Sequence, residues 1–467
     1  MLQAQEFAMP DGLLTNSKIV AAYREKTKKS AELAEKARDT FPSGITHDSR
    51  HTDPYGIYVD HAKGSRKWDV DGNEYVDFFG GHGALILGHN HSGVIDAGHA
   101  QLDKGTHFGA GHPAEVEWGG LVQDMVPCAE RIRFTSSGTE ANLMAFRLAR
   151  AFTGKPKLVR FICHFHGWQD HVAFGAKGGS VDGPVPGVLD GIIENVVLIE
   201  PGNERLMRET LASRDDIAGV ILEPTGASFG TIPVTNEFVA ALRDATTEHG
   251  VLLLFDEVVT GFRVSPGGAQ AHYGITPDLT SLAKILSGGL PGGAVCGRAD
   301  ILELLDFEVA DKKGFQKIGH QGTYNANPMS AIAGVAALKE IKAGGVCDKA
   351  SENAAKIRER VNEVFAEENI PWAAFGDHSA WYIYTNPEGH NIDPLTFDGY
   401  AGSFAQMSNS GGHPAAAKLR LAMLVNGVDI TSKPGGTVMA AHTDEDIEKT
   451  AEAVRHSVRM IREEGDL

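Results

Sequence analysis

The chain has 467 residues, of which 42% are hydrophobic and 22% charged. Its 61 acidic and 43 basic side chains give a formal net charge of −18. This is the composition of a soluble globular protein with enough chain for a large core. The acidic balance argues against binding nucleic acid by phosphate neutralisation, because that mode needs clustered Lys and Arg.

The cysteines and the apolar runs restrict the remaining classes. Four cysteines lie far apart with no CxxC pair, so neither a disulfide framework nor a structural zinc site is expected. The N-terminus lacks a basic stretch followed by an apolar one, and no run of about 18 apolar residues occurs. We therefore expect a cytoplasmic protein with no membrane segment and no bound metal.

The first part of the chain predicts a helix, an arm and a hairpin. Residues 18 to 40 have a helical pattern that stops at Phe41-Pro42-Ser43-Gly44. Between Gly56 and Phe79, alternating apolar runs flank Asp71-Gly72-Asn73, which is typical of a turn. We assign residues 1–55 to an N-terminal helix and arm.

From about residue 130 to 297, short β-rich runs alternate with helical stretches. This order predicts an α/β fold with a mostly parallel sheet that is covered on both faces. The run from Val251 to Phe255 is apolar on both faces, as in a central strand. A helical stretch after Asn327-Pro328 then leads into mixed elements, so we predict a large domain over 56–330 and a smaller α+β domain over 331–467.

Asp256 directly follows that buried run, and Lys284 comes 28 residues later beside a Gly-rich segment. Ligands of open α/β sheets bind outside the carboxyl ends of the strands, so Asp256 is placed to meet one. A lysine among apolar neighbours would have a lowered pKa and could act as a nucleophile. Taken singly, the two residues could equally be a turn aspartate and a surface lysine.

A second motif, Thr135 to Glu140, places small hydroxyl and glycine residues between a strand and a helix. Free backbone N–H groups at a helix N-terminus form an anion site, here suited to a phosphate. The same Ser-x-x-Glu pattern is also a helix-capping box. It matches neither the dinucleotide-binding nor the P-loop motif.

Two further segments supply an aromatic cover and a polar loop. The first, His164 to Trp168, follows a strand and could cover a flat ring; the second, His320 to Asn325, could add a phosphate donor. Together, a phosphate site, a ring cover, a carboxylate at a strand end and a lysine are the parts that a pyridoxal phosphate enzyme needs.

On these residues the sequence resembles the class III pyridoxal-phosphate-dependent aminotransferases, in the branch of glutamate-1-semialdehyde 2,1-aminomutase. The resemblance runs from about Phe41 to the C-terminus. It is carried by Ser-Ser-Gly-Thr-Glu-Ala from 136, His-Gly-Trp from 166, Asp-Glu-Val-Val-Thr-Gly-Phe-Arg from 256, Pro-Asp-Leu-Thr from 277, and Lys284 with Gly-Gly-Leu-Pro-Gly-Gly from 288. Residues 78–85 and 320–323 look most like the D-phenylglycine aminotransferases of that branch.

The resemblance implies roles for particular residues. Lys284 would form the Schiff base with the cofactor and move the proton, and Asp256 would pair with the pyridinium nitrogen. The ring would lie between Val258 and Phe165, which stands where the family usually has Tyr, with His166 beside the latter. Glu223 would lie near the ring hydroxyl.

The remaining contacts implied by the resemblance involve the phosphate and the substrate. Ser137, Gly138 and Thr139 would hold the phosphate, joined by Thr323 of the partner subunit. Arg50 lies in the N-terminal region from which some family members bind the substrate carboxylate; it could equally be a surface arginine.

As a whole, the resemblance implies the fold type I, aspartate-aminotransferase-like architecture and a homodimer with shared active sites. The function it implies is an aminotransferase that moves an amino group from an amino acid to an oxo acid through Lys284. The alternative is an aminomutase of the glutamate-1-semialdehyde type, which retains its intermediate, and a third possibility is a non-catalytic binding protein on the same fold. The sequence does not rank α- against β-amino acids, or D against L.

Overall fold

The computed structural model describes residues 17–175 and 185–467. The first 16 residues lie outside the described residues. They include the N-terminal stretch that was compared with an export signal, and the beginning of the segment assigned to an N-terminal helix and arm. In the part described, no helix is both long enough and apolar enough to cross a membrane.

The strands and helices follow one another in mixed order along the chain. The strands are β1 Val59–Lys63, β2 Arg66–Asp69, β3 Glu74–Asp77, β4 Arg131–Thr135, β5 Lys157–Phe161, β6 Val196–Ile199, β7 Ile217–Leu222, β8 Ile232–Pro233, β9 Leu252–Asp256, β10 Leu279–Ala283, β11 Gly293–Gly297, β12 Ala373–Phe375, β13 Ala380–Tyr384, β14 Val428–Asp429 and β15 Gly435–Thr437. The α-helices are α1 Lys18–Lys26, α2 Lys28–Arg38, α3 Gly80–Gly83, α4 Ser92–Leu102, α5 Pro113–Met125, α6 Gly138–Thr153, α7 Asp190–Ile193, α8 Glu204–Ala212, α9 Ala227–Gly230, α10 Asn236–Glu248, α11 Gly268–Tyr273, α12 Ala299–Leu302, α13 Phe307–Lys313, α14 Pro328–Ala343, α15 Val346–Glu367, α16 Phe404–Ser408, α17 Ala416–Val425 and α18 Asp444–Glu463.

The largest sheet has seven strands in the order β4-β11-β10-β9-β7-β5-β6. Its strands pair in parallel except for β11, which runs antiparallel to both neighbours. Leu253 and Phe255 of β9 pack with α10, whereas Leu252 and Leu254 pack with α6 on the opposite face. The predicted α/β fold with a mostly parallel sheet covered on both faces is confirmed.

The predicted hairpin is present, but its first strand is not the one that the apolar run suggested. Gly72 has a φ of +89° in the turn, and the strands on either side are β2 and β3. Ile57 and Tyr58 precede β1, which pairs with β2 to extend the hairpin into a sheet. Burial explains the difference. Partly and fully buried residues alternate along β2, as in a strand, but Arg66 and Lys67 are charged, so the sequence shows no apolar alternation there.

A second hydrophobic core connects parts of the chain that are distant in sequence. Ile19, Val20 and Tyr23 of α1 pack in the same cluster as residues of α15, α17 and α18. Strand β14 also pairs in parallel with β3, so the four-stranded sheet β1-β2-β3-β14 joins both ends of the chain. The divisions after residues 55 and 330 stay predictions.

A buried ion cluster holds this smaller sheet together. Lys67 Nζ lies 2.7 Å from Asp77 Oδ1 and 2.6 Å from Asp429 Oδ2, and all three side chains are buried. His89 Nε2 lies 2.6 Å from the other oxygen of Asp77. Burial alone would raise the pKa of Asp77, but Lys67 and His89 lower it well below its ordinary value. The cation therefore compensates carboxylates that would otherwise be costly to bury.

We predict that Lys67→Met destabilises the fold by about 3–5 kcal/mol at neutral pH, because it leaves buried carboxylates without their cation. Denaturant unfolding followed by circular dichroism measures the change, and Lys63→Met on exposed β1 is the matched control. As the pH falls, protonation of Asp77 removes its favourable interaction with Lys67 in the wild type. In the variant, protonation of Asp77 instead removes an unfavourable buried charge. The difference between the two proteins should therefore shrink in acid, and a difference that stays constant with pH would contradict the assignment.

Candidate active site

Two neighbouring strands bring Asp256 and Lys284 to the same edge of the large sheet. β9 ends at Asp256, which lies opposite Ser281 in the parallel pairing of β9 with β10. Lys284 follows directly after β10. The structure thus places both sequence-predicted residues at the carboxyl edge, where open α/β sheets bind their ligands.

Lys284 has an unusual backbone and an unusual environment. Its φ is +54°, in the left-handed region that costs a non-glycine residue energy. Burial lowers the pKa of its amine, although the nearby carboxylates of Asp256 and Glu223 oppose this effect. A lysine with a lowered pKa has a larger fraction of neutral amine, which is the form that acts as a nucleophile or base.

The Asp256 carboxylate is buried and held by three donors. Its Oδ2 accepts hydrogen bonds from Asn142 Nδ2 at 2.8 Å and from His166 Nδ1 at 2.7 Å. Its Oδ1 accepts from the Val258 backbone N–H at 3.0 Å. These bonds fix the orientation of the carboxylate.

The two residues of the predicted ring cover, Phe165 and His166, lie in different environments. Phe165 keeps 57% of its surface exposed, so its ring is free to face a planar ligand. His166 is buried, and its contact is with Asp256 rather than with the open side of the site. A stacking role therefore fits Phe165, whereas His166 positions the carboxylate.

Glu223 connects the residues around Phe165 to the rest of the site. Its Oε1 accepts from the backbone N–H groups of Phe165 at 2.8 Å and Ser228 at 3.0 Å, and its Oε2 accepts from that of Phe229 at 3.3 Å. Burial, together with the charge of Asp256, raises the pKa of Glu223 to about 7. The group can therefore either donate or accept a hydrogen bond near neutral pH.

The motif around Ser137 begins helix α6, where Ser137 is the N-cap residue, and the anion site at this helix end stays a prediction. The Ser137 hydroxyl accepts from the Glu140 backbone N–H at 3.2 Å, as a helix cap does. Within the described residues, the backbone N–H groups of Gly138 and Thr139 have no hydrogen-bond partner. Two free donors at the positive end of a 16-residue helix suit an anion.

A close contact joins this helix end to the residues after β9. A Cβ placed on Gly138 would lie 2.7 Å from Val258 Cγ2 and 3.4 Å from Ala283 Cβ. Only glycine lets the helix end approach the segment that carries Asp256 and Val258 this closely. The free N–H groups, the carboxylate and Lys284 consequently surround one region.

The remaining two predicted residues lie on exposed segments. The backbone carbonyl of Thr323 is 2.5 Å from His107 Nε2. The Thr323 loop reaches the phosphate motif through Asn325, whose Oδ1 accepts from Ser136 Oγ at 3.2 Å. Arg50 is exposed, and its Nη1 donates to Thr46 Oγ1 at 2.8 Å.

Sequence reasoning missed Asn142, which lies on α6 and is almost wholly buried. Besides Asp256, its Nδ2 also contacts the carbonyl of His166 at 3.1 Å. An asparagine between Ala141 and the apolar residues that follow was the available signal, because a polar residue on the buried face of a helix requires a partner.

Comparison with known proteins identifies the family. The model of the family described as aminotransferase class-III matches residues 47–371, and the chain belongs to this family. The fold type I architecture and the assignment to pyridoxal phosphate enzymes that follow from the sequence resemblance are confirmed.

The chain is similar to named relatives over nearly its whole length. A glutamate-1-semialdehyde 2,1-aminomutase of Akkermansia muciniphila is 35% identical, with 92% of this chain and 99% of the relative covered. An omega-transaminase from Sphaerobacter thermophilus is 29% identical with a TM-score of 0.83, covering 94% of this chain and 99% of that one. A transaminase solved with pyridoxal phosphate bound is 30% identical, again with a TM-score of 0.83 and coverages of 94% and 99%.

The cofactor is pyridoxal phosphate, and the residues of this chain fit it. The unpaired N–H groups of Gly138 and Thr139 suit its phosphate, and the buried carboxylate of Asp256 suits a protonated ring nitrogen. The contact of Gly138 with Val258 keeps these two features close together.

We predict that Gly138→Ala weakens cofactor binding, because its Cβ would overlap Val258 and push the helix end away. Overpacking of this kind costs about 1–3 kcal/mol. Titration of the cofactor-free protein with pyridoxal phosphate, followed by fluorescence, gives the affinity. Gly120→Ala is the control, because no atom lies within 4 Å of its added Cβ and Ala favours a helix; equal affinities in the two variants would disprove the crowding.

Proposed function

We propose that this protein moves amino groups on small carboxylate-bearing substrates, with Lys284 as the base that transfers the proton. The proposal depends mainly on one observation. The ends of β9 and β10 place the amine of Lys284 near the carboxylates of Asp256 and Glu223, and the pKa of that amine is lowered. Pyridoxal phosphate supplies the electron sink that makes the carbon-bound proton of an amino substrate removable.

The chain's own residues then have distinct tasks. The neutral amine of Lys284 accepts the proton from the substrate carbon and returns it to a different atom. Asp256, held in place by Asn142 and His166, would pair with the ring nitrogen of the cofactor. Glu223, whose pKa is raised to about 7, would lie near the ring hydroxyl of the cofactor and could donate or accept a hydrogen bond there. Arg50 binds the substrate carboxylate.

Two reactions use this same chemistry. The Akkermansia relative, at 35% identity over 92% of this chain, bears the name of the aminomutase, so sequence similarity favours that reaction over a generic aminotransferase. Intermolecular transamination is the second candidate. It is supported by the two solved structures at 29% and 30% identity, which are both transaminases.

A half-reaction screen separates the two candidates. The holoenzyme is mixed with single amino donors and no oxo acid, while the visible absorbance of the bound cofactor is followed. An aminotransferase releases the oxo product and loses its visible band. An aminomutase instead converts glutamate-1-semialdehyde into its amino isomer and releases no oxo acid.

Lys284→Ala should abolish turnover of every donor and change the visible spectrum of the bound cofactor, because the reactive amine is gone. We expect a loss of at least about a thousandfold in kcat, since Lys284 is proposed as both nucleophile and base. Lys317→Ala, which alters a lysine whose Nζ contacts a backbone carbonyl outside this site, is the control. An unchanged spectrum in Lys284→Ala would remove Lys284 from the mechanism.

We also propose that the active enzyme is a homodimer. An apolar cavity of about 280 Å³ is lined by Leu102 and Leu290, which are 52% and 37% exposed, together with Met329 and Val94. Exposed leucines around an apolar cleft are typical of a surface that another chain covers. Thr323 of the partner subunit would then reach the phosphate.

Leu102→Glu should convert the dimer into monomers, because a charge would be buried in an apolar interface. Light scattering measures the mass, and activity should fall with the dimer fraction if the partner completes the site. Leu395→Glu is the control on another surface, where Leu395 is 59% exposed. A wild-type protein that is already monomeric and active would refute the proposal.

A further inference from the structure

A cavity of about 320 Å³, here called the α15 cavity, lies where the chain after β7 meets α15, β12 and the residues around 398. None of the described residues that line it belongs to the site around Lys284. Phe229 borders both places, because it lines the cavity and its backbone N–H donates to Glu223 Oε2 at 3.3 Å. The volume suits a small organic molecule.

Aromatic side chains form much of the apolar lining of the α15 cavity. Phe229 and Phe375 are almost wholly buried, with 3% and 5% of their surface exposed. Phe397 packs on Phe375, and the two ring centroids are 6.1 Å apart. Such walls can bury an apolar group, but the charged and polar groups of the lining must orient the ligand.

Arg358, on α15, lines the cavity with a guanidinium that is only partly engaged. Its Nη1 donates to the backbone carbonyls of His378 at 3.3 Å and Ala380 at 2.5 Å. Over the described residues, Nε and Nη2 have no hydrogen-bond partner, and no carboxylate forms an ion pair with this group. The fork-shaped guanidinium therefore keeps donors that suit a carboxylate.

Asp377, in the turn between β12 and β13, supplies an opposite charge to the same cavity. Its Oδ1 accepts from the His378 backbone N–H at 2.7 Å, and its Oδ2 accepts from the Tyr400 hydroxyl at 3.1 Å. Burial lowers the pKa of Arg358, and the Asp377 carboxylate opposes that effect. The two charges are thus close enough to interact, yet they form no ion pair with each other.

The charges of the lining restrict the ligand that the cavity can take. At neutral pH Arg358 is positive, whereas Asp377 and the exposed Asp398 are negative. The His378 imidazole is neutral, because burial lowers its pKa. A ligand with only a negative charge would meet two carboxylates, and one with only a positive charge would meet the guanidinium. A ligand that carries both charges can pair with Arg358 and Asp377 together.

We propose that the α15 cavity is a second ligand site, which binds a small zwitterion with an apolar side chain, such as an amino acid. The carboxylate of the ligand pairs with Arg358 and its ammonium group with Asp377. Its side chain packs against Phe229 and Phe375. This site goes beyond the function proposed above, because none of these contacts takes part in the reaction at Lys284.

Calorimetry with the holoenzyme and three probes tests the proposal. N,N-dimethylphenylalanine is the zwitterion, and as a tertiary amine it cannot form a Schiff base with pyridoxal phosphate. 3-Phenylpropanoate carries the carboxylate without the ammonium group, and N,N-dimethyl-2-phenylethylamine carries the ammonium group without the carboxylate. We expect the wild type to bind the zwitterion at least about tenfold more tightly than either analogue, since each analogue loses one charged pair.

Two variants each remove one charge and keep the local hydrogen bonding. Arg358→Gln retains an amide N–H for the carbonyls of the turn, and Asp377→Asn retains an acceptor for the Tyr400 hydroxyl. Each should weaken binding of the zwitterion about tenfold. Arg358→Gln should not weaken binding of the amine probe, and Asp377→Asn should not weaken binding of the carboxylate probe. Thermal unfolding verifies the folds, and Arg358→Lys, which keeps the charge, should bind the zwitterion more tightly than Arg358→Gln.

Arg360→Gln is the matched control, because Arg360 lies on the same helix but donates to Glu448. Arg50→Gln shows whether the probe has bound at the site around Lys284 instead. Neither control should weaken binding of the zwitterion. The inference would be overturned by equal affinities for the three probes, by no binding of the zwitterion at millimolar concentration, or by a loss in either control as large as that in Arg358→Gln.

Discussion

The parallel pairing of β9 with β10 is the constraint on which the site depends. It sets Ser281 beside Asp256 and so fixes where the chain must leave the sheet to place Lys284. Because every residue of both strands is buried, a shift in register would disrupt close packing on both faces of the sheet. The packing of these two strands therefore determines the position of Lys284.

The site itself combines groups that are costly to bury. Asp256 is compensated by three donors, and Glu223 accepts three backbone N–H groups, which is how a fold retains carboxylates in its interior. Lys284 has a positive φ of +54°, which is unfavourable for a residue with a Cβ. Such strain persists only where the surrounding structure is rigid, and the packed sheet beneath provides that rigidity.

Features with a local signal in the sequence were the ones that could be predicted. The buried run before Asp256 predicted a central strand, and the Ser-x-x-Glu pattern at the start of α6 predicted a capped helix N-terminus. The contacts of His166 and Asn142 with Asp256 could not be predicted, because they join residues separated by 90 and 114 positions. Strand β2 was missed since its charges find partners only in the folded state, where Lys67 meets two carboxylates.

The pairing of β14 with β3 has a consequence for how the protein is made. Asp429 follows Lys67 by 362 positions in the sequence, yet its carboxylate pairs with that lysine. While the ribosome is still extending the chain, the N-terminal hairpin lacks both its fourth strand and half of the counter-charge for a lysine that must be buried. The hairpin therefore remains unfinished until β14 has been synthesised, so the final assembly of this region is dominated by contacts of high sequence separation.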